Sequence, residues 1–164
     1  LTTWNLSTQA DPMFVELYGI ADFFKSASYT GASAGVLVDA SGSLTVFNPG
    51  GGLGYSTGAG GTVTQLTSKA TAVTINKPAG KITLAASALA AGATALFTVN
   101  NSAVLGTDVI VLHQQGGAAT NGTYRVWVDA VVNGIFVVGI TNISGGSLSE
   151  AVTLNFALLR GVTA

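Results

Sequence analysis

The residues able to act as acids, bases or metal ligands are few in this chain. His113 is the single histidine, and it ends the apolar run at 108–113. A histidine that acts as general base needs a nucleophile and an orienting carboxylate within reach, and no local pattern supplies them. One histidine without acidic neighbours at ligand spacing does not predict a metal site either. We interpret His113 as a histidine at the end of a strand, bonded to the backbone.

Carboxylates and glycine-rich turns are the other candidates for chemistry. Asp108, Asp129 and Glu150 lie far apart in sequence, so a glycosidase-like pair would require the fold to bring two of them to one cleft. The glycines of 54–61 precede a strand rather than a helix, and no Lys-Ser or Lys-Thr follows them. Gly80-Lys81-Ile82 also lacks the hydroxyl of a phosphate loop. We therefore expect no enzyme, no cofactor and no metal.

The composition indicates a surface shared with partners. The 164 residues include no cysteine, which excludes disulfides and Cys-based metal sites. Charged residues make up 8 % of the chain, against about 25 % in ordinary soluble domains, while hydrophobic residues make up 48 %. Either partner proteins bury much of the surface, or a compact β-domain covers itself with Thr and Ser. We favour the first interpretation.

Charge and hydropathy also argue against two classes of partner. The formal net charge is −1 and the six basic residues are scattered, so we expect no nucleic-acid binding. The most apolar window, residues 84–97, is too short to span a bilayer and is interrupted by Ser87, Gly92 and Thr94. The first residues show no basic segment followed by an apolar one, so we also expect no signal peptide.

The elements that position these residues are mostly strands. Within residues 58–84, β-branched residues alternate with polar ones over 62–66, 72–76 and 81–84, which predicts three strands. Lys77-Pro78-Ala79-Gly80 predicts a tight reversal with positive φ at Gly80. The predicted buried residues of this stretch are Val63, Val73, Ile75, Ile82 and Leu84.

Five further strands are predicted, and one hairpin joins two of them. The ranges are 94–100, 108–113, 123–132, 135–142 and 150–160. Asn133-Gly134 alone separates two of the strands, which predicts a type I′ turn. Residues 108–113 are apolar on both faces and predict a central strand, and 87–91 predict one helical turn capped by Ser87. With no helix to carry a parallel crossover, we expect a mainly β protein, an antiparallel sandwich or jelly-roll-like module of about eight strands.

The first third of the chain differs from the rest. Asp11-Pro12 and the apolar spacing after it predict a helix over 12–26, with a strand at 14–18 as the alternative. Segments 36–39 and 44–47 predict a hairpin with positive φ at Gly42. Residues 48–54 read as a linker because of Pro49 and the glycines after it. We therefore predict an N-terminal part, residues 1–53, and a β-module, residues 54–164.

Residues 60–83, GGTVTQLTSKATAVTINKPAGKIT, are followed by ALAAG, TDVIV and a closing SGGSLSEAVTLNFALLRGV. This pattern resembles capsid decoration (cement) proteins and related virion proteins of tailed bacteriophages, over roughly 54–162. The resemblance implies a non-enzymatic protein, made in the host bacterial cytoplasm, that binds the major capsid protein on the virion surface. It also implies a homotrimer. The alternative is a receptor- or glycan-binding tip or spike domain.

Large apolar side chains outside the predicted core are the candidate partner contacts. Trp4, Met13, Phe14 and Tyr18 lie in the N-terminal part, where an aromatic needs something to pack against. Trp127 shares a predicted strand face with Arg125 and Asp129. Three roles stay open for Trp127: an anchor at a protein interface, a core residue of the second sheet, or a sugar platform.

Overall fold

A computed structural model describes residues 35–38, 44–47, 54–55 and 58–161 of the chain. The chain divides into two units, Leu1–Gly54 and Tyr55–Ala164. The described part of the first unit is an antiparallel hairpin of β1 (Gly35–Val38) and β2 (Leu44–Phe47), as predicted. The predicted helix over 12–26 and the turn at Gly42 lie outside the described residues.

The second unit is a sandwich of two four-stranded sheets, which confirms the predicted fold class. The first sheet has the order β3-β5-β10-β7, and the second has the order β4-β6-β9-β8. No helix occurs among the described residues. The strands are β3 (Gly60–Thr64), β4 (Val73–Thr74), β5 (Ala79–Thr83), β6 (Thr94–Asn100), β7 (Val109–Gly116), β8 (Tyr124–Val132), β9 (Ile135–Asn142) and β10 (Thr153–Leu159).

The core fills the space between the sheets with the inward residues of each strand. Phe136 of the second sheet and Phe156 of the first meet at 5.2 Å between ring centroids. Of the five residues predicted to be buried, four have 5 % exposure or less, and the fifth, Val63, packs partly buried against the same core. Period-two alternation therefore predicted the buried face correctly, because each inward side chain meets the opposite sheet.

Two strand pairs are parallel, contrary to the expectation of a wholly antiparallel arrangement. β3 pairs with β5 in parallel, and β4 pairs with β6 in parallel. The chain crosses to the opposite sheet between the members of each pair, so β4 connects β3 to β5 and β5 connects β4 to β6. A strand in the other sheet thus makes the parallel crossover, for which we expected a helix to be necessary.

Other local predictions were wrong for physical reasons that the structure shows. Gly80 lies inside β5 without positive φ, because residues 75–78 pass between sheets instead of making a hairpin. Strand β7 is at the edge of its sheet, with Val109 and Val111 exposed. The helical turn at 87–91 is replaced by a β-bridge between Leu89 and Leu148.

The hairpin at Asn133-Gly134 is present, but its turn type differs from the prediction. Gly134 has a φ of 79°, whereas no described residue other than glycine has positive φ. A type I′ turn needs positive φ at both central residues, so this pattern fits a type II turn. The side-chain oxygen of Asn133 accepts a hydrogen bond from Gly106 N at 2.7 Å. The tip of the hairpin is thereby held on the neighbouring loop.

Strand directions give the sandwich two distinct poles. The proximal pole contains the start of β3, the loop at 101–108 and the β8–β9 turn, and the chain enters and leaves the sandwich there. The Tyr55 hydroxyl donates a hydrogen bond to the carbonyl of Leu158 at this pole. The distal pole contains the connections at 65–72, 84–93, 117–123 and 143–152. These four connections contact each other through backbone and side-chain hydrogen bonds.

Candidate binding surface

The outer face of the second sheet carries an apolar patch on β8 and β9 that includes Leu96 of β6, whereas the other outward residues of β6, Thr94, Thr98 and Asn100, are polar. Strand register places Leu96, Gly139 and Trp127 in one row across β6, β9 and β8. The adjacent rows add Val137 with Ala130, and Ile135 with Val132. Leu96 is 48 % exposed and Val132 is 53 % exposed. Apolar side chains in three successive rows make this patch a candidate interaction surface, since single exposed apolar residues are common but contiguous ones are not.

Trp127 lies at the centre of this outer face and packs on Gly139. A Cβ on Gly139 would clash with the six-membered ring of the indole, which shows that the ring covers the glycine backbone. The Trp127 indole N–H donates to Asp129 Oδ1 at 3.3 Å. Asp129 is the extra residue of a β-bulge between Val128 and Ala130. Trp127 is therefore not a core residue of the second sheet, and its ring is held in a fixed orientation on the outer face.

The outer face of the first sheet is more polar. Val109 and Val111 of β7 lie opposite Leu159 and Ala157 of β10 and form an apolar corner near the proximal pole. His113 pairs in register with Asn155, which in turn lies opposite Lys81 of β5. His113 is exposed on this surface. The second sheet therefore carries the larger apolar surface and the only tryptophan among the described residues.

The candidate chemical groups do not come together in the fold. Asp108 bonds Arg160 at the proximal pole, Asp129 lies on the outer face of the second sheet, and Glu150 lies at the distal pole. The described residues contain no group of three acidic, histidine or cysteine side chains arranged to hold a metal ion. Four of the predicted partner contacts lie outside the described residues: Trp4, Met13, Phe14 and Tyr18. The fifth, Trp127, lies on the outer face of the second sheet against Gly139.

Asp108 and Arg160 tie the loop at 101–108 to the last described residues. Arg160 Nη1 donates to Asp108 Oδ2 at 2.7 Å, and Arg160 Nη2 donates to the Ala103 carbonyl at 2.9 Å. The same Oδ2 accepts a bond from Leu105 N. Asp108 Oδ1 is buried without a protein partner. The Asp108 carboxylate therefore links the loop at 101–108 to Arg160 at the proximal pole.

A buried lysine organises the distal pole. Lys69 is only 2 % exposed, and its Nζ donates to the carbonyl oxygens of Ala85 at 2.7 Å, Ser87 at 3.0 Å and Glu150 at 2.7 Å. Three backbone acceptors match the three N–H donors of an ammonium. Burial lowers the pKa of Lys69 from its ordinary value, and the nearby Glu150 carboxylate partly offsets this. Lys69 thus joins the β3–β4, β5–β6 and β9–β10 connections.

Gln65, directly after the end of β3, makes further side-chain hydrogen bonds within these connections. Its Nε2 donates to the carbonyls of Lys69 and Thr71, and its Oε1 accepts a bond from Ala85 N. Gln65 is 3 % exposed. The Gln65 side chain therefore links the two ends of the loop at 65–72 and also bonds this loop to the β5–β6 connection.

Glu150 and Tyr124 form a second polar contact at the distal pole. The Tyr124 hydroxyl donates to Glu150 Oε2 at 2.6 Å. This bond is the main reason that the pKa of Glu150 is lowered. Burial, followed by the contact with Glu150, raises the pKa of Tyr124 well above its ordinary value. The phenol thus stays protonated as the donor while the carboxylate stays ionised as the acceptor.

Sequence reasoning missed Lys69 and Gln65 as structural groups. Both belong to the stretch that carries the family resemblance, but a lysine in a Thr/Ser-rich segment reads as a solvated side chain. The only local signal is that Gln65, two residues after Val63, occupies the next inward position of the alternation. The three carbonyl partners of Lys69 are up to 81 positions away in sequence, so no local pattern indicates them.

The comparisons with known proteins give no family and no function for the chain. Among the described residues, no helix has both the length and the apolar character needed to cross a membrane. No family model matches the chain, and no curated protein or solved structure matches it.

Proposed function

We propose that this chain is a non-enzymatic structural protein of a tailed-bacteriophage virion, which decorates the capsid and stabilises its shell. Its partner would be the major capsid protein, and its site of action the outer surface of the virion. The motifs at 60–83 and 144–162 support this role through their resemblance to decoration proteins. The apolar outer face of the second sheet is the structural observation that carries the proposal.

The outer face has the properties of a protein interface rather than of a solvated sheet. Leu96, Trp127 and Val137 occupy its centre, Arg125 lies in the row towards the distal pole, and the one carboxylate beside the centre, Asp129, accepts the indole N–H of Trp127. Depletion of charge at the centre and a large aromatic are typical of interface cores. The fixed ring of Trp127 loses little conformational freedom on contact, which favours binding.

We assign this face to contacts between copies of the chain in a homotrimer. In a cyclic trimer each interface joins two different surfaces, so this face of one copy would pack against another surface of the next copy. Three linked copies would bind the shell with higher avidity than one. Trp4, Met13, Phe14 and Tyr18 are proposed as additional contacts with the shell. Because charge contributes little, attachment is expected to change little with salt.

The test uses the full-length chain and shells of the encoding phage prepared without it. Leu96→Glu places a charge at the centre of the face, whereas Gln115→Glu places the same charge on the outer face of the first sheet. Wild type and Gln115→Glu are expected to sediment as trimers and to raise the temperature at which shells disrupt. Leu96→Glu is expected to sediment as a monomer and to bind shells roughly tenfold or more weakly.

Two results would contradict the proposal in different ways. Wild-type protein that neither binds shells nor changes their thermal disruption would remove the decoration role. Leu96→Glu protein that remains a trimer would remove the assignment of the second-sheet face to self-association while leaving the decoration role in place.

A further inference from the structure

We infer that the β3–β4 loop at the distal pole, residues 65–72, is the docking element that seats the module on the capsid shell, with Leu66 as its anchor. This inference rests on the proposed decoration role. It assigns a different surface from the second-sheet face, which is assigned to self-association.

Leu66 is the most exposed large apolar residue of the described chain. Its side chain is 90 % exposed, and Thr67 and Ala70 beside it are exposed as well. Folding therefore gains almost nothing from the apolar surface of Leu66. A single exposed leucine is common on protein surfaces, so the loop that carries it must supply the rest of the evidence.

The loop is held rigidly although its leucine packs on nothing. Gln65 and Lys69 are both almost fully buried at its base, and each makes three hydrogen bonds through its side chain. Ser68 and Thr71 bond to each other within the loop. Burying an ammonium carries a large desolvation penalty, which a simple polar turn would avoid. A pre-ordered loop loses little entropy when its exposed anchor binds.

The chemistry of the distal pole selects an uncharged protein surface. Its charged side chains are Lys69, which is buried, and Glu150, which is partly buried and bonded to Tyr124. The described connections of this pole expose no aromatic ring, since Tyr124 is 6 % exposed. Phosphates call for Lys or Arg, and sugars or bases stack on aromatic rings. An aliphatic anchor among Ala, Gly, Ser and Thr instead fits an apolar socket in a neutral protein surface.

The position of the loop agrees with docking. Within the described sandwich, the loop at 65–72 lies at the distal pole, opposite the pole that contains the start of β3 and the end of β10. Ile143, 57 % exposed on the β9–β10 connection, adds a second aliphatic side chain at the same pole. The buried Lys69 therefore holds the loop that carries Leu66 at the distal pole, the same pole as Ile143.

The experiment measures binding of the full-length chain to shells of the encoding phage that lack it. Leu66→Asp removes the anchor and places a charge in the socket, and Thr62→Asp places the same charge on an exposed position of β3 as the matched control. We expect Leu66→Asp to bind roughly tenfold or more weakly, and Thr62→Asp to bind within about twofold of wild type. Both variants should keep the wild-type melting temperature and trimer mass. Leu66→Ala should give an intermediate loss.

Each alternative result is separable from failure of the proposed function. If wild type itself does not bind shells, the decoration role fails and the docking assignment fails with it. If wild type binds and Leu66→Asp binds equally well, only the docking assignment is overturned. If Leu66→Asp occupies shells normally but its virions adsorb poorly to host cells, the distal pole is a receptor-binding tip and not a shell contact.

Discussion

A single buried ammonium holds three separate connections of the sandwich at the distal pole. Lys69 donates to three carbonyl oxygens, and no carboxylate of the described residues is in direct contact with its ammonium. The lowered pKa of Lys69 shows that burial works against its charged form. Its contribution therefore comes from the hydrogen bonds, and it should disappear when the ammonium is replaced by an apolar group of similar length.

Lys69→Met should lower the free energy of unfolding by about 2–4 kcal/mol, since hydrogen bonds to charged groups contribute about 1.5–3 kcal/mol each and part of the desolvation penalty is recovered. Lys81→Met is the matched control, because Lys81 is exposed on the outer face of the first sheet. Its effect should stay within about 0.5 kcal/mol. Urea unfolding of both variants measures the difference. Equal effects of the two substitutions would show that the Lys69 bonds do not stabilise the pole.

The Tyr124–Glu150 contact predicts a pH dependence on the acid side. The folded state lowers the pKa of Glu150, so the unfolded chain takes up the proton first as the pH falls. The stabilisation is present above the unfolded pKa, about 4.3, and is lost as the pH falls through the lower folded value. Urea unfolding between pH 7 and pH 3 should show a smaller acid loss for Glu150→Gln than for wild type. Parallel pH profiles would contradict the assigned role of the carboxylate.

At the scale of the elements, the parallel pair β3–β5 depends on the absence of side chains at glycine. A Cβ on Gly80 would lie 2.5 Å from Ile75 Cδ1, 2.8 Å from Gly61 O and 3.0 Å from a ring carbon of Phe156. Gly80 is therefore required by close approach of the core rather than by a turn. The same pair contains Gly60, where the nearest atom to an added Cβ is Ala79 O at 3.8 Å.

Gly80→Ala should destabilise the module by roughly 1–3 kcal/mol because the added methyl group overpacks the core. Gly60→Ala offers a matched control in the neighbouring strand of the same sheet, where an added methyl group meets only ordinary contacts. We expect its effect to be close to zero or slightly stabilising, since alanine restricts the unfolded chain. Thermal or urea unfolding of the two variants provides the comparison. A Gly80→Ala protein as stable as Gly60→Ala would refute the close packing at β5.

At the scale of the whole molecule, the strands of the second unit pair only among themselves in the described structure. All four strands of each sheet come from β3 to β10, and the parallel crossovers interlock the two sheets. A unit with its own core and complete sheets is expected to fold by itself. The apolar faces that remain exposed on this unit are the surfaces for which partners are proposed.

Deleting residues 1–49 should leave a module that unfolds in one cooperative transition. The reason is that no strand from β3 onward takes its pairing partner from β1 or β2. Circular dichroism during heating, with the full-length chain as reference, gives the readout. Loss of the cooperative transition in the shortened chain would mean that the first unit contributes to the stability of the second.

The sequence by itself determined which segments are strands and which side chains face inward. Alternation identified Val73, Ile82 and Leu84 as core residues, because a strand with one face on the opposite sheet must repeat its apolar residues with period two. Asn133-Gly134 likewise marked its hairpin, since only a turn residue fits between two such runs. These features depend on near neighbours in the chain.

Only the tertiary structure decided how the strands are ordered and what the polar residues do. The parallel pairs arise because each crossover passes through the opposite sheet, which no local pattern encodes. Lys69 acquires its role from carbonyls on two distant connections, and Trp127 is fixed by a glycine on the neighbouring strand. Gly80 reads as a turn residue in sequence but serves close packing in the fold. Contacts between distant segments depend on strand order, and local propensity does not specify that order.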